Sequence, residues 1–168
     1  MHASFLTAMT EFAAEGRGGP ADDSMIGDDL RRYAPLWRDP AVFARYVADL
    51  RAQGLEETVR PARFVPSTTL WWVGGGDYLG RLAIRHRLNE WLLDRGGHIG
   101  YDVRPSARRR GYGTAMLRDA LPVAAGLGID RVLITCDVDN TGSRKVIEAN
   151  GGVLEDLRGG KLRYWIAG

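Results

Sequence analysis

With 168 residues, of which 45% are hydrophobic and 26% charged, the chain can bury one sizeable core, and we expect one domain over residues 1–168. Lys and Arg number 23 against 21 Asp and Glu, and this net charge of +2 argues against a nucleic-acid partner. The single cysteine excludes an intrachain disulfide, and no apolar run approaches the ~18 to 20 residues of a membrane span. We therefore expect a cytoplasmic protein without a metal cluster, as a monomer or homodimer.

The first third of the chain is predicted to be helical. Apolar residues at helical spacing indicate a helix from Ser4 to Glu15, with Ser4 as its cap. A loop rich in Gly, Pro and Asp follows over residues 17–29, and Leu30 to Tyr33 continues as a short helical piece. Pro40 to Gln53 is predicted as a longer helix.

The middle of the chain is predicted to form three antiparallel strands. Val65 to Val73 and Tyr78 to His86 indicate a hairpin, and after a helical turn from Leu88 to Leu93 the third strand runs from His98 to Val103. The neighbouring Trp71 and Trp72 point to opposite faces of their strand, so one should reach the core and the other stay exposed or line a cleft.

The last third of the chain is predicted to alternate helices and strands. Pro122 lies inside the first helix of this part and should kink it, and Cys136 is predicted as a small buried filler of a central strand. The elements are a helix at 113–127, a strand at 129–137, a helix at 141–150, and closing strands at 153–157 and 162–166.

Residues 101–114 combine a strand end, a basic loop and a helix start. Pro105 ends the strand, and Gly111 and Gly113 precede the helical run. Helix-opening amides carry partial positive charge, and glycines let a ligand approach the main chain. The arginines at positions 108, 109 and 110 add attraction for an anion. The stretch therefore predicts an anion site built mainly from backbone N–H groups.

The order Arg108-x-x-Gly111-x-Gly113 resembles the Gln/Arg-x-x-Gly-x-Gly/Ala loop of the Gcn5-related N-acetyltransferase (GNAT) superfamily. The resemblance covers roughly residues 64 to 157. It implies an α/β fold (α+β by some schemes) with a central mixed twisted sheet of six to seven strands flanked by helices. Members usually begin with a strand ahead of the first helix, and only three residues precede Ser4 here, so the first strand is expected to be missing.

The resemblance also implies where acetyl-coenzyme A would bind. The main chain of Tyr101 and Val103 would pair with the pantetheine arm, and a backbone N–H near Val103 would stabilise the oxyanion. Asn140 would bind the arm, although helix N-capping is an alternative role for it, and Ser143 would start the next helix. The pyrophosphate would lie on the loop formed by Arg108, Arg109, Arg110, Gly111, Tyr112, Gly113 and Thr114.

The chain departs from the family where a tyrosine would protonate the leaving thiolate. That position, seven residues after Asn140, holds Ile147. Deprotonation of the amine needs a base, and His98 and His86 on neighbouring predicted strands are the candidate catalytic residues. A relay of waters is the third alternative.

The predicted function is transfer of an acetyl group from acetyl-CoA to a primary amine by direct attack in a ternary complex. The family's acceptor pocket borders the early helices, so Asp22, Asp23, Asp28 and Asp29 would favour a cationic amine, unless their loop is simply solvated. Two alternatives remain open. One is a catalytically silent CoA-binding module of the same fold, and the other is a basic nucleic-acid-binding protein.

Overall fold

The computed structural model describes residues 1–167. Five α-helices and six strands alternate in a mixed α/β arrangement. The helices are α1 (His2–Ala14), α2 (Met25–Tyr33), α3 (Pro40–Ala52), α4 (Tyr112–Gly126) and α5 (Thr141–Ala149). The strands are β1 (Ser67–Gly74), β2 (Asp77–Arg85), β3 (Ile99–Val103), β4 (Arg131–Asp137), β5 (Val153–Arg158) and β6 (Lys161–Ala167).

The strands form two three-stranded antiparallel sheets, in the orders β1-β2-β3 and β4-β6-β5. The sheets meet where the main-chain N–H of His98 donates to the oxygen of Leu133 at 2.7 Å. Beyond this junction, residues 99–102 of β3 and 134–137 of β4 face each other across one cleft. The two strands therefore run in the same direction and move apart after the junction. The divergence leaves a gap in the middle of the molecule.

Two apolar clusters cover opposite faces of the first sheet. One packs α4 and α5 onto both sheets, through side chains such as Leu117, Ile134 and Ile147. The other packs α1, α2 and α3 around Phe5, Trp37 and other aromatic residues. Trp71 joins the aromatic cluster and Trp72 joins the other. The prediction of opposite faces is therefore correct, but the expectation of one exposed indole is wrong because helices cover both faces.

The structure has each predicted helix and strand, with differences at their ends. Helix α2 begins five residues earlier than predicted, because the hydroxyl of Ser24 caps it by accepting from the Gly27 amide at 3.1 Å. Ser4 does not cap α1 but lies inside it, and its hydroxyl accepts from the Tyr78 amide at 3.1 Å. The turn predicted at 88–93 is a π-helical turn at Leu92–Gly96.

The two sheets together contain six strands, and α1 is the first element of the described residues 1–167. In the same residues, no helix has the length and apolarity needed to cross a bilayer.

Candidate active site

A cleft of about 450 Å³ opens between β3 and β4 and passes through the gap in the sheet. Its walls are residues 99–102 of β3 and 134–137 of β4. Asn140 and Ser143 close it on the α5 side, whereas Arg17 and residues 22–25 close it on the side of the early helices. The cleft therefore has two ends, which we call the α5 end and the α2 end.

The edge of β3 that faces the gap carries backbone groups that do not pair with β2. Two hydrogen bonds show which residues of β3 are bonded to β2. Arg85 N donates to His98 O at 2.7 Å, and Arg104 N donates to Leu79 O at 2.9 Å. In an antiparallel pair, residues alternate between bonding the partner strand and facing away from it. The N–H and C=O groups of Tyr101 and Val103 therefore face away from β2, toward β4. Both residues thus present their main chain to the gap, where a ligand can pair with it as an added strand.

Four successive amides at the start of α4 point out of the helix without a partner. The first helical bond is donated by Ala115 to the oxygen of Gly111, at 3.1 Å, and no side chain caps this end. Within the described chain, the amides of residues 111–114 therefore have no acceptor. Arg109 and Gly111 have left-handed φ angles of 63° and 80°, which bend the loop into the helix start.

Gly113 lets α4 pack closely on its neighbours. A Cβ atom there would lie 3.2 Å from Val146 of α5 and 3.6 Å from Val103 of β3. At Gly111 a Cβ would meet no atom within 4 Å, because the open side of the loop faces away from the protein. The amides of this turn are consequently accessible to an anion the size of a phosphate.

The arginine side chains of the loop have different surroundings. Arg108 makes a two-point ion pair with Glu15, the residue directly after α1, at 2.7 and 2.8 Å, and its Nε donates to Val103 O at 3.2 Å. Arg109 and Arg110 are exposed and have no ion pair within residues 1–167. Any contribution of Arg108 to anion binding therefore competes with Glu15, whereas Arg109 and Arg110 are free to attract the ligand.

At the α5 end, Asn140 caps the helix with its side-chain oxygen, which accepts from Ser143 N at 3.0 Å. Capping is thus one role of Asn140, and its position in the cleft wall leaves the coenzyme role open as well. The hydroxyl groups of Tyr101 and Ser143 lie 2.8 Å apart inside the same end. Burial raises the pKa of Tyr101 to about 12, so its hydroxyl stays protonated at neutral pH and able to donate.

Neither candidate histidine lines the cleft. The Nδ1 atom of His98 accepts the Leu133 amide at 2.9 Å, and burial, followed by the charge of Arg85, lowers the pKa of His98 to about 4. His86 pairs with the Thr68 hydroxyl at 2.9 Å, and burial is the main cause that lowers its pKa. His98 thus binds the two sheets together, and a catalytic role for either histidine stays a prediction.

The α2 end is built from charged side chains, of which the sequence analysis assigned Asp22 and Asp23 but neither Arg17 nor Asp102. Arg17 donates to Asp102 at 2.9 Å and to Asp22 at 3.1 Å, so two carboxylates share one guanidinium. Burial alone would raise the pKa of Asp22, but hydrogen bonds from Ser24 and Gly18 and the charge of Arg17 lower it to about 2. No local motif marks these residues, because Arg17 and Asp102 lie 85 positions apart.

The four aspartates of the early loop separate in the structure. Asp22 and Asp23 line the α2 end of the cleft, as the hypothesis of an acidic acceptor pocket requires. Asp28 instead pairs with arginines of its own helix, and Asp29 binds Arg81 beneath the sheet at 2.5 Å. Only half of the predicted acidic set therefore faces the cleft.

The chain is similar to a known family model and to solved structures. The model of the acetyltransferase (GNAT) domain matches residues 24–153. RimJ from Mycobacterium smegmatis, solved with a CoA disulfide, is 20% identical, with a TM-score of 0.64 over 99% of this chain and 77% of RimJ. RimL, a ribosomal α-N-protein acetyltransferase solved with coenzyme A, is 17% identical, with a TM-score of 0.62 over 99% and 88%.

The PaiA N-acetyltransferase from Thermoplasma acidophilum, solved with coenzyme A, is 13% identical, with a TM-score of 0.57 over 99% of this chain and 92% of PaiA. At such identities the solved structures show a shared fold alone. No curated protein sequence matches the chain. Since the family model covers most of the chain, and since a helix starts after Gly111 as the sequence predicted, the chain belongs to the GNAT acetyltransferase family.

Proposed function

We propose that this chain transfers the acetyl group of acetyl-CoA to a primary amine, by direct attack of the amine in a ternary complex. One observation carries the proposal: the unpaired amides of residues 111–114 open a helix that packs at Gly113 against Val103 and Tyr101 of β3, which is one of the two diverging strands. The amides can hold the pyrophosphate, and the free edge of β3 at Tyr101 and Val103 can pair with the pantetheine arm. The thioester then enters the gap, where the α2 end leaves room for an amine.

In the reaction, the amine nitrogen forms a bond to the thioester carbonyl carbon, and the bond from that carbon to sulfur breaks. The negative charge on the carbonyl oxygen is stabilised by a backbone N–H of β3 near Val103, which has no partner in β2. The charge then passes to the thiolate of coenzyme A, and the nitrogen loses its proton. An open cleft that joins the two ends lets both substrates bind together, as direct attack requires.

Two hydroxyl groups can replace the tyrosine that the family has at the position of Ile147. Ile147 is fully buried and has no polar atom. Tyr101 and Ser143 instead place hydroxyls 2.8 Å apart at the α5 end, where they can donate a hydrogen bond to the leaving thiolate. The free thiol has a pKa of about 8.5, so an unassisted thiolate near pH 7 costs only roughly 2 kcal/mol. The assistance needed from these hydroxyls is therefore small.

The ammonium group of the amine must give up a proton to a base before its nitrogen can attack. His98 and His86 remain candidate bases, and the alternative is water in the open cleft. In the alanine variants of both histidines, an unchanged acidic limb of the pH–rate profile would remove histidine from the mechanism, because a general base loses activity when it is protonated at low pH. We expect that result for His98, whose accepting Nδ1 atom is already used by the Leu133 amide.

Two other functions have less support. A nucleic-acid site would use the basic loop, but Arg104 and Arg108 are neutralised by Glu11 and Glu15 at 2.6 and 2.7 Å. The alternative of a silent CoA-binding module rests on Ile147, which stands where the family has a tyrosine. The hydroxyl groups of Tyr101 and Ser143 favour turnover instead, because they can assist the leaving thiolate in place of that tyrosine.

Calorimetry with acetyl-CoA, followed by thiol release with a panel of primary amines, tests the proposal. We expect binding in the micromolar range and thiol release that depends on both the amine and the enzyme. Failure to bind acetyl-CoA would refute the proposed function. Binding without amine-dependent release would instead favour the silent module. A reaction without any amine is the control for thioester hydrolysis.

A further inference from the structure

One half-buried arginine of the cleft has no carboxylate partner in the described part of the chain. Arg85 ends β2 and lines the α2 end of the cleft. In residues 1–167, no Asp or Glu oxygen lies within 4.0 Å of its guanidinium nitrogens. Four other buried or half-buried arginines have such a partner, at 2.5 to 2.9 Å: Arg81 with Asp29, Arg104 with Glu11, Arg163 with Asp156, and Arg17 with Asp102. The half-buried Arg60 also lacks a carboxylate, but it lies outside the cleft and its guanidinium donates to three main-chain oxygens.

The guanidinium of Arg85 is held in place by the main chain. Its Nη1 donates to the oxygens of Gly96 and Gly97, at 2.8 and 3.1 Å. Both Nη1 hydrogens are thereby used, and neither Nε nor Nη2 has an acceptor within the described residues. The Nε–H and one Nη2–H of a guanidinium lie side by side, which is the geometry that binds both oxygens of a carboxylate.

Gly100 makes room for this group. A Cβ atom at position 100 would lie 3.4 Å from Nη2 of Arg85 and 3.3 Å from the terminal carbon of Met25. The guanidinium therefore lies over β3 at a residue without a side chain, and the apolar end of Met25 covers the same point. This environment leaves the positive charge uncompensated, and burial lowers the pKa of Arg85 to about 10.

The opposite charge lies on the same face of β3. Asp102 is two residues beyond Gly100, a distance of about 7 Å along a strand. Asp102 and Asp22 share Arg17, so this group keeps a net negative charge, and Asp23 adds another carboxylate to the wall. The α2 end of the cleft thus has a cationic side at Arg85 and an anionic side at Asp102.

We propose that Arg85 binds a carboxylate of the acceptor, so that the acceptor is a small amine that also carries a carboxylate a few bonds away. This inference rests on the proposed function, since it names the substrate class of the same site. The ammonium group lies toward Asp102 and Asp22, and the carboxylate accepts from Nε and Nη2 of Arg85. The pair of charges orients the amine with respect to the thioester and selects against uncharged or purely cationic amines.

Calorimetry with matched amines tests the inference. Glycine, β-alanine and γ-aminobutyrate are each titrated beside their primary amides into the full chain saturated with coenzyme A. We expect at least one acid to bind about tenfold or more tightly than its amide, because the amide leaves the guanidinium without its anion. Equal affinities for every acid and its amide would overturn the inference.

Two variants test whether the guanidinium of Arg85 causes the preference for the acid over its amide. Arg85→Gln should abolish the difference between acid and amide, whereas Arg87→Gln removes the same charge from an exposed residue on the same chain segment and should preserve it. A preference that survives in Arg85→Gln would overturn the inference. If that variant does not fold, Arg85→Lys retains the charge without the two side-by-side donors, and its preference should fall several-fold.

The outcomes separate this inference from the proposed function. Thiol release that is equally fast with acids and amides, together with equal affinities, would retain the acetyltransferase and exclude the carboxylate site. Binding of the acid that depends on Arg85, without binding of acetyl-CoA, would retain the carboxylate site and exclude the transferase.

Discussion

The two ends of the cleft are built from different parts of the polypeptide. The α5 end and the adjoining helix start offer main-chain groups, namely the edge of β3 and the amides of residues 111–114. The α2 end offers side chains, namely Arg85 and the group formed by Arg17, Asp22 and Asp102. Main-chain groups recognise a ligand with little dependence on residue type, whereas side chains set specificity. We therefore expect substitutions at the two ends to affect different substrates.

The largest expected effect is at the helix start. Gly111→Asp introduces a negative charge beside the diphosphate site and a side chain at a φ of 80°, so acetyl-CoA affinity should fall by about 4 kcal/mol, or roughly 1,000-fold. Gly126→Asp is the matched control, because it adds the same charge at the other end of α4, where a Cβ meets nothing within 4 Å. Similar affinities of the two variants in calorimetry would refute a main-chain phosphate site.

The next effect concerns His98, which joins the two strands at the vertex of the cleft. Its pKa of about 4 in the folded chain is below the unfolded value of about 6.5, so the unfolded chain binds the extra proton first as pH falls. The free energy of unfolding should therefore decrease by roughly 3 kcal/mol between pH 7 and pH 4 from this residue alone. Urea titrations of the parent and of His98→Gln measure this, and an equal decrease in both would contradict it.

At the α2 end, Arg17→Met leaves Asp22 and Asp102 without their shared cation. We expect the free energy of unfolding to fall by about 2 kcal/mol and the KM for the amine to change, while acetyl-CoA affinity stays within about twofold of the parent. Urea unfolding and calorimetry on one preparation give both values. A large loss of acetyl-CoA affinity would show that the two ends are not separable.

Within the α5 end, Tyr101→Phe removes one hydroxyl of the proposed pair. We expect kcat to fall by about tenfold, or roughly 1.4 kcal/mol, with little change in acetyl-CoA affinity, because the coenzyme contacts the main chain of this residue. Ser143→Ala removes the other hydroxyl and should have a similar effect. If kcat is the same in both variants and the parent, water alone assists the thiolate.

The smallest effect on acetyl-CoA affinity is expected for Arg108, the arginine of the Arg108-x-x-Gly111-x-Gly113 motif. The ion pair of Arg108 with Glu15 is about 40% exposed on both sides and should contribute less than about 1 kcal/mol to stability. If main-chain donors hold the anion as proposed, Arg108→Gln should weaken acetyl-CoA binding by only about threefold. Calorimetry beside Arg118→Gln, an exposed arginine of α4, provides the comparison. A loss near 100-fold would mean that the side chain, rather than the backbone, holds the phosphate.

The contrast between the ends also explains which features could be predicted. Pro105, Gly111 and the helical run after it are local signals, and they predict the helix start because each restricts its own backbone. The pairing edge at Tyr101 and Val103 was implied by the family resemblance, and the β2-β3 register turns the main chain of both residues away from β2. The histidines were chosen by residue type and strand position alone, and the fold places both outside the cleft wall.

The sequence by itself determined the order of helices and strands, the family and the helix start after Gly111, because periodicity, proline and glycine act on neighbouring residues. Only the tertiary structure decided which charged side chains meet. Arg17 reaches Asp102 across 85 positions, and Arg85 lies over Gly100 with no carboxylate partner in residues 1–167. Such contacts depend on how two sheets and three early helices pack, and no short segment of the chain encodes that packing.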